Sequence, residues 1–198
     1  MVWPPPVAGS FFVARCRFAP PADGTKFLVE PRVPLYFRRM NHVGIGYDVH
    51  QLVAGRKLVL GGVAIPHNKG LDGHSDADVL MHAICDAVLG AMGESDIGHF
   101  FPNTDPRWKG APSHVFLEEA ARQIGFRTGR LINLDATLIA QAPKIAPYIH
   151  EMKINIARAL GLNIAKVGIK ATTNELLGFI GREEGIAAMA VASVELPE

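Results

Sequence analysis

The stretch from Gly44 to Leu52, Gly-Ile-Gly-Tyr-Asp-Val-His-Gln-Leu, constrains this chain more than any other. It reads as a strand, and the side-chain period of two sends Asp48 and His50 to one face. Tyr47 and Val49 then point to the other face, where the apolar core is expected. A carboxylate and an imidazole side by side are either a hydrogen-bonded pair at a strand end or two ligands of one cation. Both donor types suit zinc.

A third donor stands further on. A helix is expected over about Asp78–Met92, because Val79, Ala83 and Ala87 and, beside them, Leu80, Ile84 and Val88 recur at three-and-four spacing. Ser75 or Asp76 is its expected cap. His82 lies in this helix with Asp78 one turn before and Asp86 one turn after, on a face distinct from Val79, Ala83 and Ala87. A solvated polar stripe is one reading. In the other, a carboxylate one turn away orients a metal-bound ring. Two His, one carboxylate and an open position make a catalytic zinc pattern, and they are also the donors of a non-haem iron triad.

Near the C-terminus, Lys170-Ala171-Thr172-Thr173-Asn174-Glu175 ends a strand, and Leu177 to Gly185 follows with three glycines and Arg182. Hydroxyls and turn amides donate to anionic oxygens, Arg182 offers a planar fork, and Glu175 suits a hard cation beside phosphates. A capped turn with a surface ion pair accounts for the same residues.

The bulk properties narrow the class. The 198 residues are 48% hydrophobic and carry a net charge of +1, enough for one real core and too neutral for a broad nucleic-acid surface. Two distant cysteines, Cys16 and Cys85, make neither a disulfide framework nor a thiolate zinc site, so a reducing interior is expected. No apolar run is long enough to span a membrane. Residues 1–39 hold seven of the 14 prolines and an excess of arginine over acid. That composition opposes regular structure and has the acid-poor balance of a transit peptide, without its serines or long amphipathic helix. Residues 1–39 are therefore expected to be an irregular Pro/Arg-rich extension without functional weight, with Met40 as the natural start of one catalytic domain over 40–198.

Within that domain the expected order is a strand over Val43–Leu52, then Lys57–Leu60 and Val63–Ile65 as a hairpin-like pair. A mobile loop over His67–Gly73, the His82 helix and a tight turn around Asp96–Pro102 come next. A Ser113-capped helix runs to about Ile124, a strand spans Leu131–Ala140, and a helix with Pro143 in its first turn stops at Gly161. Strands over Val167–Thr173 and Ile186–Leu196 close the chain. This mixture implies an α/β (α+β) sandwich, a mixed four- to five-stranded sheet with helices packed on one face.

Several short segments now stand in order: Asp48-Val49-His50, His74-Ser75-Asp76-Ala77-Asp78, His82-Ala83, Asp96-Ile97-Gly98, Phe101-Pro102-Asn103-Thr104-Asp105, Ala140-Gln141-Ala142-Pro143-Lys144, Lys170 to Glu175, Leu177-Gly178-Phe179 and Gly181-Arg182. From about Asn41 onward the chain thereby resembles the 2-C-methyl-D-erythritol 2,4-cyclodiphosphate synthases of the non-mevalonate isoprenoid pathway. The resemblance implies a metal-dependent lyase. It would convert 4-diphosphocytidyl-2-C-methyl-D-erythritol 2-phosphate to the 2,4-cyclodiphosphate and CMP, as a homotrimer with active sites between subunits.

The resemblance also implies residue roles. Asp48, His50 and His82 would hold Zn2+, and Glu175 a second divalent ion, Mg2+ or Mn2+. His74 and Thr173 would stabilise the transition state. Ser75, Asp96, Ile97, Gly98, Phe101, Pro102, Asn103, Thr104 and Asp105 would line the methylerythritol and phosphate region. Ala140, Gln141, Ala142, Pro143, Lys144, Ile145 and Ala146, together with Thr172, Thr173, Asn174, Glu175, Phe179 and Arg182, would meet the cytidine diphosphate part. Asn103 departs from the acid usual in the family. A cytoplasmic, bacterial setting is implied, or a plastid if residues 1–39 are a transit peptide. An iron oxygenase would show many short jelly-roll strands instead, and a trimeric binding protein with structural zinc would have no use for the open position. Neither fits as well.

Overall fold

The computed structural model describes residues 38–198; the expectations for residues 1–37 lie outside the described residues, and the irregular extension expected through residue 39 is corrected at its end, because Arg39 already belongs to the first strand. Strand β1 (Arg39–Ala54) is followed by the short strands β2 (Leu58–Leu60), β3 (Val63–Ile65) and β4 (Lys69–Leu71). Then come α1 (Val79–Ala91), the one-turn α2 (Ile97–Phe100), α3 (His114–Phe126), β5 (Arg130–Ile139), α4 (Ile149–Ala159), β6 (Val167–Thr172), the one-turn α5 (Gly178–Gly181) and β7 (Gly185–Pro197). Five strands form one mixed sheet in the order β4-β1-β7-β5-β6, with β5 and β6 parallel, while β2 and β3 pair separately. The expected mixed sheet with helices on one face is what the chain builds. Pairing already includes Arg39, opposite Pro197, and Arg39 also donates to the Thr128 carbonyl. No helix among the described residues is long and apolar enough to cross a membrane.

The face of β1 that α1 covers is not its aliphatic face. Gly44, Gly46, Asp48 and His50 point towards the helix, opposite Ala192, Ala190, Ala188 and Ile186 of β7. Val43, Ile45, Tyr47 and Val49 lie on the outer face, between 40% and 68% exposed. The expectation that Tyr47 and Val49 enter the core is therefore corrected. Small residues leave a trough into which the α1 backbone sinks. A Cβ on Gly46 would stand 2.7 Å from the Ala87 amide nitrogen and closer still to the Ala83 carbonyl. With α3 on its far side, α1 is buried almost all round: Met81, Cys85 and Leu89 are inside as well as the two expected rows.

Other expectations change for local reasons. The loop expected over His67–Gly73 contains β4, three residues paired with Leu52–Ala54. The cap of α1 is Asp78, not Ser75 or Asp76; its side chain accepts from the Met81 amide at 3.1 Å and the Gly62 amide at 2.7 Å. Asp78 is fully buried, and that burial, resisted by the backbone donors of Gly62, Gly61 and Met81, pushes its carboxyl up to about 6. Asp78 therefore anchors the hairpin to α1 and is not available to His82. Pro143 lies in a cis bond before the next helix, whose entry is a 3-10 turn containing Pro147. Gly161 has positive φ and follows the end of α4, as expected.

Gly46→Ala should cost about 3 kcal/mol or more, because the intruding atom meets backbone that cannot rotate away. Denaturant unfolding of the metal-free protein measures this. A loss below 1 kcal/mol would show that α1 does not sit as tightly as described.

Candidate active site

Asp48 and His50 reach the inner face of β1 at its C-terminal half, and His82 faces them from α1. Asp48 Oδ2 lies 2.9 Å from His50 Nε2 and 3.0 Å from His82 Nδ1, and the two ring nitrogens are 3.2 Å apart. Donors about 2.0–2.1 Å from a tetrahedral ion stand roughly 3.3 Å from one another, so the triangle has nearly that size. This is the cluster of three metal-ligating groups found among the described residues.

The outer contacts decide which ring atoms carry protons. His50 Nδ1 is 2.5 Å from the Asp72 carbonyl, which can only accept, so the proton sits there and the Nε2 lone pair faces Asp48. His82 Nε2 is 2.9 Å from Ser113 Oγ and 3.2 Å from Ser75 Oγ. Ser113 Oγ donates in turn to Asp76 Oδ1 at 2.5 Å. His82 Nε2 is thus the donor, and Nδ1 presents its lone pair inward. Two lone pairs and a carboxylate converge with no proton assigned between them, an arrangement that a cation satisfies and that is costly without one.

In the metal-free state protons partly fill that role. Burial opposes ionisation of Asp48, but the hydrogen bonds and charges of His50 and His82 together outweigh it and hold the carboxyl well below the usual range. Burial also lowers the His50 value, and Asp48, with Asp72 behind it, more than compensates, so His50 keeps its proton to higher pH than usual.

A cavity of about 290 Å³ opens beside this cluster. Of the residues expected at the substrate site, His74, Ser75, Ile97, Phe101 and Asn103 line it. His74 Nε2 contacts the Asp105 carbonyl at 3.3 Å. The Asp105 carboxylate accepts from the Arg107 side chain, which holds it below its ordinary range. Asp96 caps α2 by accepting from the His99 amide, and Asp86 accepts from the Ile97 amide at 2.7 Å. The orienting role expected for Asp78 or Asp86 on His82 falls instead to Ser113.

The cavity wall also includes Trp108, which the sequence did not single out, and Phe116, which was expected only on the buried side of the Ser113-capped helix; Phe101 lies edge-on to Trp108 with ring centroids 5.1 Å apart. Arg56, also missed, donates to the Gly73 carbonyl at 2.9 Å and the Ser75 carbonyl at 3.0 Å, pinning the loop that carries His74. The only available signal for these residues was their proximity in sequence to Asp105 and to the hairpin turn.

A second cavity of about 440 Å³ is lined by Ala140 through Ala146 and by Ala171, Thr172 and Thr173. It shares no lining residue with the first. Gln141 Oε1 accepts from the Leu176 amide at 3.1 Å, which ties the two halves of its wall together. Thr173 Oγ1 donates to Glu175 Oε1 at 2.5 Å, and Glu175 lies in left-handed backbone outside the Asp48–His50–His82 cluster. Asn174 donates to the Leu177 carbonyl, Arg182 pairs with Glu184, and Phe179 is exposed. Within one chain the two groups of expected residues thus line two different cavities.

Comparison with known proteins gives a consistent result. Residues 41–195 match the YgbB family. Over 152 residues, 77% of this chain and 93% of the other, the chain is 60% identical to a 2-C-methyl-D-erythritol 2,4-cyclodiphosphate synthase of Syntrophotalea carbinolica. Among solved structures it resembles the IspF–CDP complex of Plasmodium falciparum at a TM-score of 0.70 and 34% identity, covering 80% of this chain and 97% of that one. It also resembles the bifunctional IspDF of Campylobacter jejuni at a TM-score of 0.77 and 41% identity, covering 80% of this chain and 43% of that longer one.

The proton occupancy of the cluster predicts a pH signature. The raised His50 value gives the metal-free fold stability that is complete below the ordinary 6.5 and fades as pH rises through the folded value. The lowered Asp48 value gives stability that is present above 3.8 and fades as pH falls through the folded value. Metal-free wild type should therefore exceed His50→Gln in thermal midpoint most between about pH 4 and 6.5, and the gap should narrow above that range. A gap that widens towards pH 8 would contradict the assignment.

Proposed function

The chain belongs to the YgbB family and to its class of enzymes, the 2-C-methyl-D-erythritol 2,4-cyclodiphosphate synthases, and from that premise we propose how its residues perform the cyclisation. The substrate is 4-diphosphocytidyl-2-C-methyl-D-erythritol 2-phosphate. An oxygen of its 2-phosphate bonds to the β-phosphorus, the bond from that phosphorus to the bridging oxygen breaks, and the bridging oxygen departs on CMP. The reaction is a phosphorus–oxygen lyase step in isoprenoid precursor synthesis.

The observation that carries the reading is the convergence of Asp48 Oδ2, His50 Nε2 and His82 Nδ1 beside a cavity lined by His74. Two imidazoles and one carboxylate suit Zn2+ with a position left open. When bound, the ion supplies positive charge to phosphoryl oxygens that otherwise repel one another. His74 and Thr173 serve as donors to the oxygens on which charge builds. Ser75, Ile97, Phe101 and Asn103 hold the methylerythritol end; the amide of Asn103 bonds the diol without adding charge. The Ala140–Ala146 segment and Thr172 hold the cytidine end, which accords with the CDP in the P. falciparum structure. Glu175 would hold a second divalent ion, Mg2+ or Mn2+, beside the diphosphate. No covalent nucleophile is required; charge neutralisation and proximity suffice.

The two cavities share no lining residue, and we assign the complete site to the junction of neighbouring copies. A homotrimer provides this. The uncovered aliphatic face of β1 and β7, with Ile45, Tyr47, Met189 and Val191 all more than 40% exposed, supports burial between copies. We assign the catalytic unit to residues 40–198 and the enzyme to the cytoplasm, or to a plastid if the extension serves as a transit peptide.

Release of CMP from the 2-phosphate substrate by purified, zinc-loaded protein tests the reaction; no CMP and no cyclic product would refute it. His82→Ala, His50→Ala and Asp48→Ala should each lose stoichiometric zinc and lower turnover on the order of 10²–10³-fold while the protein stays folded. Zinc retained at one per chain in His82→Ala, by elemental analysis, would remove His82 from the ligand set.

The shared site has its own test. His82→Ala and Thr173→Ala chains, each nearly inactive alone, should regain part of the activity when refolded together. Mixed assemblies that exchange subunits and stay at the level of the separate variants would place each site within one chain.

A further inference from the structure

Ser113 stands at the N-cap of α3, where a serine hydroxyl ordinarily accepts from the first turn of its own helix. It does not do so: its backbone is already helical, at φ −67° and ψ −12°, and the side chain makes no capping bond. The residue is completely buried. Its hydroxyl has two partners, Asp76 Oδ1 at 2.5 Å and His82 Nε2 at 2.9 Å, and its amide donates to Asp76 Oδ2 at 3.0 Å. The usual capping contribution, about 0.5–2 kcal/mol, is forgone at this helix start.

The directions of these bonds are fixed by chemistry. A carboxylate oxygen accepts, so the Ser113 proton points to Asp76 and the oxygen lone pairs face His82. The neighbouring charge polarises the hydroxyl and makes it a better acceptor. Ser75 Oγ, 3.2 Å from the same ring nitrogen, is a longer and weaker second acceptor, and it also receives the Ala77 amide at 3.1 Å. The ring itself rests against Phe116, with centroids 5.8 Å apart. His82 is therefore held in one tautomer and one orientation, with Nδ1 aimed at Asp48 and His50.

We propose that Asp76 and Ser113 form a carboxylate–hydroxyl–imidazole relay that positions His82 as a metal ligand, so that metal affinity depends on a buried serine which itself touches neither metal nor substrate. The inference rests on the reading that Asp48, His50 and His82 hold a divalent ion. It goes beyond that reading by making α3 a part of the metal site. The relay joins the loop at Asp76, the start of α3 and the middle of α1, three segments that the sequence keeps apart. Ser113 and Asp76 are positioning residues; neither enters the reaction.

The test is competition for Zn2+ between the protein and a chromophoric chelator, with His82→Ala as reference and the metal-free thermal midpoint as the measure of folding. Loss of a hydrogen-bonding partner behind a ligating His weakens metal binding about 10–100-fold, and the surviving Ser75 contact places Ser113→Ala near the tenfold end. Because no helix cap is lost, its metal-free midpoint should stay close to wild type. Excess Zn2+ should restore its turnover with KM unchanged, a recovery that a merely structural defect would not show. If Ser113→Ala does not fold, Ser113→Cys carries the test: sulfur keeps the volume but is a poor acceptor, so affinity should again fall.

A folded Ser113→Ala protein, or a folded Ser113→Cys protein in its place, that binds Zn2+ as tightly as wild type would overturn the relay. Wild type that binds Zn2+ no better than His82→Ala would overturn the metal reading beneath it. The two failures are thereby distinguishable.

Discussion

The close seating of α1 on the glycine face of β1 is the contact on which the rest of the molecule depends. His82 belongs to the helix, Asp48 and His50 to the strand, and their donor atoms meet only because the backbones approach nearly to touching at Gly44 and Gly46. Ala190 and Ala192 keep the adjoining strand equally low. Larger side chains would hold the helix a few ångströms higher and separate the imidazoles. Tight packing here is a positioning device first and a source of burial second, because glycine and alanine contribute little transfer free energy.

Around that contact, the polar groups next to the donor cluster find hydrogen-bond partners on its outer side, so their inner atoms face one another. Asp72 and Ser113 take the outer protons of the two rings, Asp76 takes the proton of Ser113, and Asp78 and Asp86 are occupied by backbone amides of the hairpin and of α2. Cavity walls are fixed in the same manner: Arg56 holds the loop bearing His74 by its carbonyls, and the Phe101–Trp108 contact stiffens the opposite side. Interior rigidity of this kind suits a reaction that depends on fixed charge and alignment.

Much of this was legible in the residue order. Asp48 and His50 share a face because strands have a period of two, and the three-and-four spacing placed His82 on a helix. The segments lining both cavities were found from their motifs. What escaped was tertiary in origin. The aliphatic face of β1 was assigned to the core because apolarity usually marks the inside, whereas here glycine marks it. Strand β4 is three residues long with a glycine in it, and exists only because β1 offers an edge. Ser113 read as a helix cap, and by position it is one. No local pattern reveals that its hydroxyl turns to a carboxylate 37 positions earlier in the chain. Pro143 looked like a helix opener, a role that Pro147 performs.

The pre-assembled triangle of donors also determines when the entropy of ordering is lost. In small zinc modules the ligands are scattered until the ion gathers them, and ion binding and folding are one event. Here the packing of α1 on β1, made by glycine and alanine rather than by the donors themselves, brings both imidazoles and the carboxylate within 3.2 Å of one another. The conformational freedom of those side chains is surrendered during folding, where a large apolar interior compensates for it. The free energy of ion capture is then left to appear as affinity. Such a protein can exchange one divalent ion for another on the time scale of ligand exchange, without passing through an unfolded chain.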